Sequence, residues 1–420
     1  MSFQQGATNT YVLPAALSGF IGGETTASAL AYSHVYGRRN VLSLYSSPGS
    51  YEVAKLLQAL ARSRFWDGQR HDEAGVSVNP DAFVQADATS GPKYTAAFSG
   101  TAMESTGDIA QILSKYCGRL PVDAIATGRV TTPYAVTIAH LEHTPASEEH
   151  PTLKAPAPFL PILASIAASA GCAAIGDWHV FAMIVLGMFC NGATSSILRS
   201  GDLTFTRPNV TPGASAGDGY LENGNEIAVL KGSEAAVSAV TRGRLSLRFA
   251  DAKSLKRLAT CGSLATLQSV VQLLVVPQGT GFGQFMFLWS LGVAWLYNTV
   301  LAAREKEAKE KVVMENLLNE PTMRRYSLGT RAAMAVFLMQ VLKPTNIEEQ
   351  LEALVPNKTR AWALWRQTVA RRLRDEKPTF NLAMPAEASE FSTGETTLLR
   401  TLLADAQVAV DLYSTARVQM

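Results

Sequence analysis

The spacing of apolar and polar positions divides the chain into helices and a few short strands. Val53, Leu56, Leu57, Leu60 and Ala61 recur at helical spacing and predict a helix over Tyr51–Phe65; Gly107–Tyr116 reads as another. Tyr134–Ala139 alternates as a strand does, and Leu203–Thr206, Ile227–Leu230 and Leu245–Phe249 read as strands too. Ser233 suits the N-cap of a helix through Val240, because its hydroxyl can accept from a free backbone N–H. Pro208–Gly224 is rich in Gly, Pro, Ser and Asn and predicts a long exposed loop. Further on, Arg304–Leu318 predicts a charged helix and Ala332–Leu342 a short apolar one. Thr359–Lys377 predicts a helix with Trp362, Trp365, Val369 and Leu373 on one face.

Two later stretches differ in kind. In Leu258–Val276 the apolar Leu264, Leu267, Val271 and Leu274 share one helical face, and Thr266, Gln268, Ser269 and Gln272 the opposite one. That amphipathic pattern predicts a helix whose apolar face packs in a protein core. After a break at Pro277-Gln278-Gly279-Thr280, Gly281–Ala303 is apolar all round and long enough to span a bilayer.

Charge sharpens the picture. Only 17% of the 420 residues are charged, against about 25% in an average soluble protein. Four runs carry no Asp, Glu, Lys or Arg: Met1–Gly23, Ala155–Gly176, Trp178–Leu198 and Leu258–Ala303, together 112 residues. Either a bilayer or burial against other subunits would demand this. Lys154, Arg199, Lys253, Lys256, Arg257, Arg304 and Lys306 flank the runs, and the turns at Asp177–His179 and Gln278–Thr280 carry no Lys or Arg. Two hairpins with these flanks inside would obey the positive-inside rule. Against spanning, the strongly apolar part of Trp178–Leu198 is short, Ala155–Gly176 is mostly Ala and Ser after its prolines, and Leu258–Val276 is amphipathic. Tyr11–Ala31 lacks the basic residues that precede a cleaved signal. The net charge of +2 supplies no basic field for nucleic acid, and four cysteines make no disulfide framework.

The expected fold is mainly α, a large helical body with a small strand-bearing insert and long loops. Residues 1–155 form an N-terminal region of mixed helices and loops, and 156–199 apolar helices of the core. Residues 200–257 form the strand-bearing insert with its exposed loop 208–224, 258–303 an apolar helical pair, and 304–420 a C-terminal helical region.

The segment Ala228–Phe249 (AVLKGSEAAVSAVTRGRLSLRF), after the stretch Gly201-Asp202-Leu203-Thr204-Phe205, resembles coat proteins of double-stranded RNA viruses of fungi. The Ala-rich helices, irregular loops and sparse charge of the chain are similar as well. The resemblance covers Arg199–Ala303 and carries over no functional residue. It implies a coat subunit that forms dimers and closes into an icosahedral shell around an RNA genome.

Candidate chemistry is sparse. No catalytic triad, phosphate loop or dinucleotide fingerprint occurs, so no enzyme activity is expected. His140, His143 and His150, with Glu142, Glu148 and Glu149, are the metal candidates, imidazole and carboxylate suiting zinc; their spacing matches no established motif, and a polar surface linker is the simpler reading. Gly279-Thr280-Gly281-Phe282-Gly283 has some of the glycines of a potassium filter, but its threonine is out of register; a turn between helices explains it. Gln268, Gln272, Gln284, Asn191 and Asn298 are amides within apolar runs; they either hydrogen-bond packed elements or line a transport path. Arg360, Arg366, Arg371, Arg372 and Arg374 form a possible contact for an anionic surface, and Ser327 in Arg324-Arg325-Tyr326-Ser327-Leu328 fits a basophilic kinase pattern. Cys117, Cys172, Cys190 and Cys261 read as small core residues.

The leading expectation is a structural protein, a self-assembling capsid subunit in a virion assembled in the host cytoplasm. Its partners would be further copies of itself and the enclosed RNA, with no cofactor and no small-molecule ligand. The alternative is a multi-pass integral membrane protein, scaffold or transporter-like, with Gly281–Ala303 as its surest span. A metal-dependent enzyme ranks third.

Overall fold

The computed structural model describes residues 18–37, 41–62, 76–78, 91–144, 157–211, 213–249, 252–375, 379–380 and 385–419. Helix makes up 61% of the described residues and strand 14%, so the fold is mainly α. In chain order the elements are α1 (Gly23–Leu30, continued by a π-helical turn Ala31–Tyr36), α2 (Ser50–Arg62), β1 (Val76–Val78), β2 (Lys93–Ala96), β3 (Ala102–Met103), α3 (Asp108–Arg119), β4 (Ala124–Ile125) and β5 (Tyr134–Leu141). Next come α4 (Phe159–Ala174), α5 (Trp178–Arg199), β6 (Gly201–Thr206), β7 (Gly219–Asn223), β8 (Glu226–Gly232), α6 (Glu234–Thr241), β9 (Arg244–Phe249) and α7 (Ala252–Val275). The chain ends with α8 (Gly281–Lys311), β10 (Thr322–Leu328), α9 (Arg331–Leu342), α10 (Ile347–Leu354), α11 (Arg360–Arg372) and α12 (Thr393–Gln419).

Two discontinuous units result. One comprises Met1–Thr89, Ser147–Thr206 and Leu245–Val312; the other Ser90–Ala146, Arg207–Arg244 and Val313–Met420.

The second unit is built on a seven-stranded mixed sheet of order β3-β2-β7-β8-β5-β10-β4. β5 lies between β8, which runs parallel to it, and β10, which runs antiparallel. Val136 and Ile138 of β5 join Val229, Tyr326 and α9 in one apolar cluster with the C-terminal helices. On the other face, Cys117 of α3 lies against Met323 of β10, 3.9 Å between sulfurs. Both faces are therefore covered, which is why β5 is buried along most of its length. α9 is apolar all round because every residue from Ala332 to Leu342 is buried. Strands thus come from well outside 200–257, and the expected small insert is corrected to a central sheet. The expected loop Pro208–Gly224 is corrected as well: its last part, from Gly219, is strand β7. The Ser233 cap is present, accepting from the Ala236 N–H at 3.2 Å.

The first unit is a ring of six helices. α7 packs on α5, α5 on α4, α4 on α8, α8 on α1, α1 on α2, and α2 on α7. A three-stranded sheet, β1-β9-β6, accompanies it. The outer faces of α4, α5, α7 and α8 are apolar. Phe159, Leu160, Leu163 and Ile166 are exposed on α4, Trp178, Val185 and Phe189 on α5, and Phe282, Phe285, Trp289, Trp295, Leu296 and Val300 on α8. On α7 the sequence expectation is reversed for Leu267 and Leu274, while Leu264 and Val271 are half-buried and Val271 packs against the apolar cluster. Leu267 and Leu274 are 57% and 65% exposed, while Gln268 and Gln272 are 4% and 3% exposed. The polar face of this helix is its inner face. The pattern defines two faces and leaves open which one meets the protein.

Candidate functional site

The interior of the helix ring has an apolar part, where Ala168, Val180, Met183, Ile184, Phe287 and Leu291 cluster, and a polar part organised around a piece of chain that is not helical. Between Tyr36 and α2 the backbone through Ser43–Pro48 is irregular, with tight turns in which Leu44 N–H donates to Leu42 O and Tyr45 N–H to Ser43 O; Ser43, Tyr45, Ser46 and Ser47 are buried and Leu44 points outward. A buried irregular segment must find partners for its own N–H and C=O groups. The surrounding helices supply them. Ser43 N–H donates to Ser195 Oγ of α5 (3.1 Å) and Ser46 N–H to Ser165 Oγ of α4 (3.1 Å). Tyr45 C=O accepts from Asn191 Nδ2 of α5 (3.1 Å), and Pro48 C=O from Thr26 Oγ1 of α1 (3.0 Å).

Side chains complete the network. Tyr45 OH donates to Asn298 Oδ1 (2.8 Å), and Asn298 Nδ2 donates to Ser47 Oγ (2.9 Å) and Thr26 Oγ1 (3.2 Å). Ser165 and Ser290 join α4 to α8 at 3.0 Å, Ser50 and Ser269 join α2 to α7 at 2.8 Å, and Gln272 Nε2 donates to Ser18 Oγ at 2.6 Å. Small residues bring the helices this close. Ala164, Ala168 and Cys172 line the inner face of α4 at four-residue intervals. A Cβ on Gly187 of α5 would lie 2.6 Å from Ser46 Oγ and 3.4 Å from Gln268 Nε2.

A cavity of about 20 Å³ sits in this interior, bounded by α1, the Ser47–Val53 stretch, α5 and α7. Its polar lining is Thr26, Ser47, Ser50, Asn191, Thr194 and Gln268. That volume admits one water-sized occupant.

One end of the bundle is fixed by Asp177, 3% exposed in the turn between α4 and α5. It caps α5 by accepting from Val180 N–H (3.3 Å) and also accepts from the N–H and hydroxyl of Thr280, both at 2.7 Å. Thr280 in turn caps α8, accepting from Gly283 N–H (3.1 Å). Gly283 must be glycine here, since a Cβ would lie 2.1 Å from Asp177 Oδ2. The Gly279–Gly283 stretch is thus the start of α8, and the turn reading holds over the potassium filter.

The amides singled out from sequence all belong to this unit. Asn191, Gln268, Gln272, Gln284 and Asn298 are each at most 9% exposed. Gln284 lies at the start of α8 and donates to Gly279 O (3.1 Å). Sequence reasoning missed Ser43, Tyr45, Ser46 and Ser47. The available signal was that Val41–Tyr51 carries no charge although its Ser, Pro and Gly suggest an exposed turn.

The other candidates scatter. His140 lies on β5 and His143 just beyond it; His150, Glu148 and Glu149 fall outside the described residues. Burial, and then the Lys231 ammonium, hold the His140 imidazole below its ordinary range. Among the described residues no three His, Cys, Asp or Glu side chains gather as metal ligands. Arg366 is corrected from a surface contact to an internal one: it is 8% exposed and donates to Val355 O and Asn357 O. Arg372 stacks over Phe380, while Arg360, Arg371 and Arg374 are exposed. Ser327 is in β10, hydrogen-bonded into the sheet between β5 and β4. Arg325 beside it donates to Gly118 O and Leu120 O at the end of α3 and pairs with Glu226 at 2.6 Å. Burial pushes the Cys117 thiol up to about 12, the behaviour of an inert core residue.

Comparison of the chain with family models, with curated proteins and with solved structures finds no match.

Proposed function

We propose that the protein is a multi-pass integral membrane protein whose helical unit is embedded in lipid. The observation that carries this reading is the burial pattern of α7, with Leu267 and Leu274 outside and Gln268 and Gln272 inside, and the exposed apolar side chains on α4, α5 and α8. In water such a surface is costly, since each exposed large apolar side chain forgoes about 1.5–3 kcal/mol of burial. In lipid it is the expected arrangement, with small and hydrogen-bonding residues joining the helices. Irregular backbone at bilayer depth is tolerated only where protein satisfies it, and here helix side chains bond the backbone of Ser43, Tyr45, Ser46 and Pro48 while the apolar Leu44 side chain faces outward.

Lengths agree for three helices. α5, Lys256–Gln278 and Gly281–Leu317 are long and apolar enough to cross. At 1.5 Å per residue, the 22 residues of α5 span about 33 Å and the 24 of α7 about 36 Å, against a hydrocarbon layer of about 30 Å. Polarity of charge agrees too. The joined turns around Asp177 and Thr280 have no Lys or Arg, whereas the opposite helix ends carry Arg199, Lys253, Lys256, Arg257, Arg304 and Lys306. The positive-inside rule assigns those ends to the cytoplasm.

The test is fractionation. The protein should stay with membranes through an alkaline carbonate wash and come away only with detergent. Uniform closed particles, formed without detergent and seen by negative-stain microscopy, would sink the reading.

One observation favours a second reading. α4, with 16 residues and about 24 Å, falls short of the bilayer. In a coat subunit the same outer face would be covered by neighbouring copies around an RNA genome, with no length to match. The particles just described are the result that reading expects.

A further inference from the structure

The outer faces of α5 and α7 change character along their length, and they do so together. On α7 one stripe is exposed from end to end: Lys253 and Lys256, then Thr260 and Ser263, then Leu267, Val270 and Leu274. Steps of three and four residues keep these positions on one helical face. On α5 the exposed stripe reads the other way along the chain, from Val185 and Phe189 through Ser196 to Arg199. The two helices pack side by side, and α5 begins at the end where α7 finishes, so the two gradients run the same way in space.

One close approach sets their register. A Cβ on Gly187 would lie 3.4 Å from Gln268 Nε2. Arg199 is twelve residues after Gly187, and Lys256 twelve before Gln268. At 1.5 Å per residue both lie about 18 Å from that crossing. By the same count Ser196 is level with Thr260, and Phe189 with Leu267, each within about one residue. The combined face therefore presents cations, then hydroxyls, then apolar side chains. Thr260 and Ser263 donate to their own helix, at Lys256 O (2.8 Å) and Ala259 O (3.1 Å), so the middle level needs no water. Neither helix contains Asp or Glu. Asp202 follows Arg199 on β6, so the charge of this end rests mainly on α7. The basic end of α8 differs, because Glu307 is exposed beside Arg304 and Lys306.

We propose that this face holds an anionic glycerophospholipid. Its phosphate lies at Lys253, Lys256 and Arg199, its glycerol esters at the hydroxyl level, and an acyl chain along Phe189 and Leu267. The order of chemistry on the protein is the order of chemistry in the lipid. Basic side chains at a helix end reach the headgroup level and attract anionic lipid there. A zwitterionic lipid offers the same chains, but its own ammonium offsets the phosphate. RNA phosphate would suit the lysines and leave Phe189 and Leu267 without a partner. The proposal rests on the bilayer reading.

The test uses the full chain reconstituted in phosphatidylcholine vesicles with traces of spin-labelled lipid. The immobilised fraction of the label measures lipid held on the protein. Labelled phosphatidylglycerol should be held in preference to labelled phosphatidylcholine, by about threefold or more. Lys253→Gln with Lys256→Gln should remove at least half of that preference. Arg304→Gln with Lys306→Gln, on α8, should leave it in place. Equal retention of the two labels overturns the proposal and leaves the bilayer reading standing. A preference untouched by the α7 pair, or lost equally in the α8 pair, overturns it as well. Should the α7 pair not reconstitute, salt decides with the wild-type chain. A preference that falls as salt rises supports the site, and one indifferent to salt overturns it. A chain recovered without detergent that immobilises neither label, and binds polyuridylate through the same lysines, overturns both readings in favour of a shell.

Discussion

Asn298 shows how much a single interior amide has to do. It is fully buried, accepts from Tyr45 OH, and donates to Ser47 and Thr26, so it ties α8 to α1 and to the irregular Ser43–Pro48 segment. Asn298→Leu keeps the volume and leaves these partners unmatched. Stability should fall by about 1–3 kcal/mol per orphaned group, read as a lower thermal midpoint. An unchanged midpoint would show the network to be dispensable. His140 gives a pH effect outside the helical unit. Its ordinary value is 6.5 and the folded value is lower, so between the two the unfolded chain holds more protons. Stability gained from this position is thus present above about pH 6.5 and lost as pH falls toward the folded value. His140→Gln should flatten that slope in urea midpoints measured at pH 7.5 and 5.5; an identical slope in the variant would refute the assignment. The interior amides were legible in the sequence because Asn and Gln in uncharged apolar runs need partners. The serines of Ser43–Ser47 were not, because a short Ser/Pro stretch reads as a surface turn when its neighbours in space are unknown.

At the scale of the element, periodicity marked α7 as a helix and sorted its two faces, yet its environment came out inverted. An apolar stripe on one side of a helix says that the two sides differ, and only the surroundings say whether water or lipid lies outside. β10 was lost for a different reason. Thr322–Leu328 contains Arg324 and Arg325 and looks like a charged surface segment, but Arg325 is spent on the end of α3 and on Glu226. The inversion of α7 can be tested directly. Leu267 lies at the middle of Lys256–Gln278 and faces outward. In lipid, Leu267→Lys should cost about 2.5–3.5 kcal/mol of insertion, lowering the carbonate-resistant fraction sharply. Lys253→Leu, at the helix end, should leave it unchanged. If Leu267→Lys is as well retained as wild type, the outer face of α7 does not meet hydrocarbon.

At the scale of the molecule, each unit is assembled from separate stretches of chain, and the strands of the sheet come from three of them. No composition shift marks those crossings, which is why a linear reading divided the chain differently. What the sequence did carry at this scale is the placement of charge. The hairpin turns meet at Asp177 and Thr280, so α4 and α7 run toward that end and α5 and α8 run away from it. The chain leaves α5 at Arg199 and α8 beyond Arg304, both at basic ends. With lipid around the ring, the loop at Gly213 and the C-terminal tail must then share one side, and His179 and Gln278 must lie on the other. Epitope tags placed after Gly213 and after Met420 should both resist protease in right-side-out vesicles and both be cut once the vesicles are inverted. A cysteine at Gln278 should react with a membrane-impermeant maleimide only in the right-side-out preparation. Tags cut on opposite sides would break the paired-hairpin topology; tags cut equally in both preparations, with no membrane pellet, would favour a shell in which copies of the chain cover the apolar face.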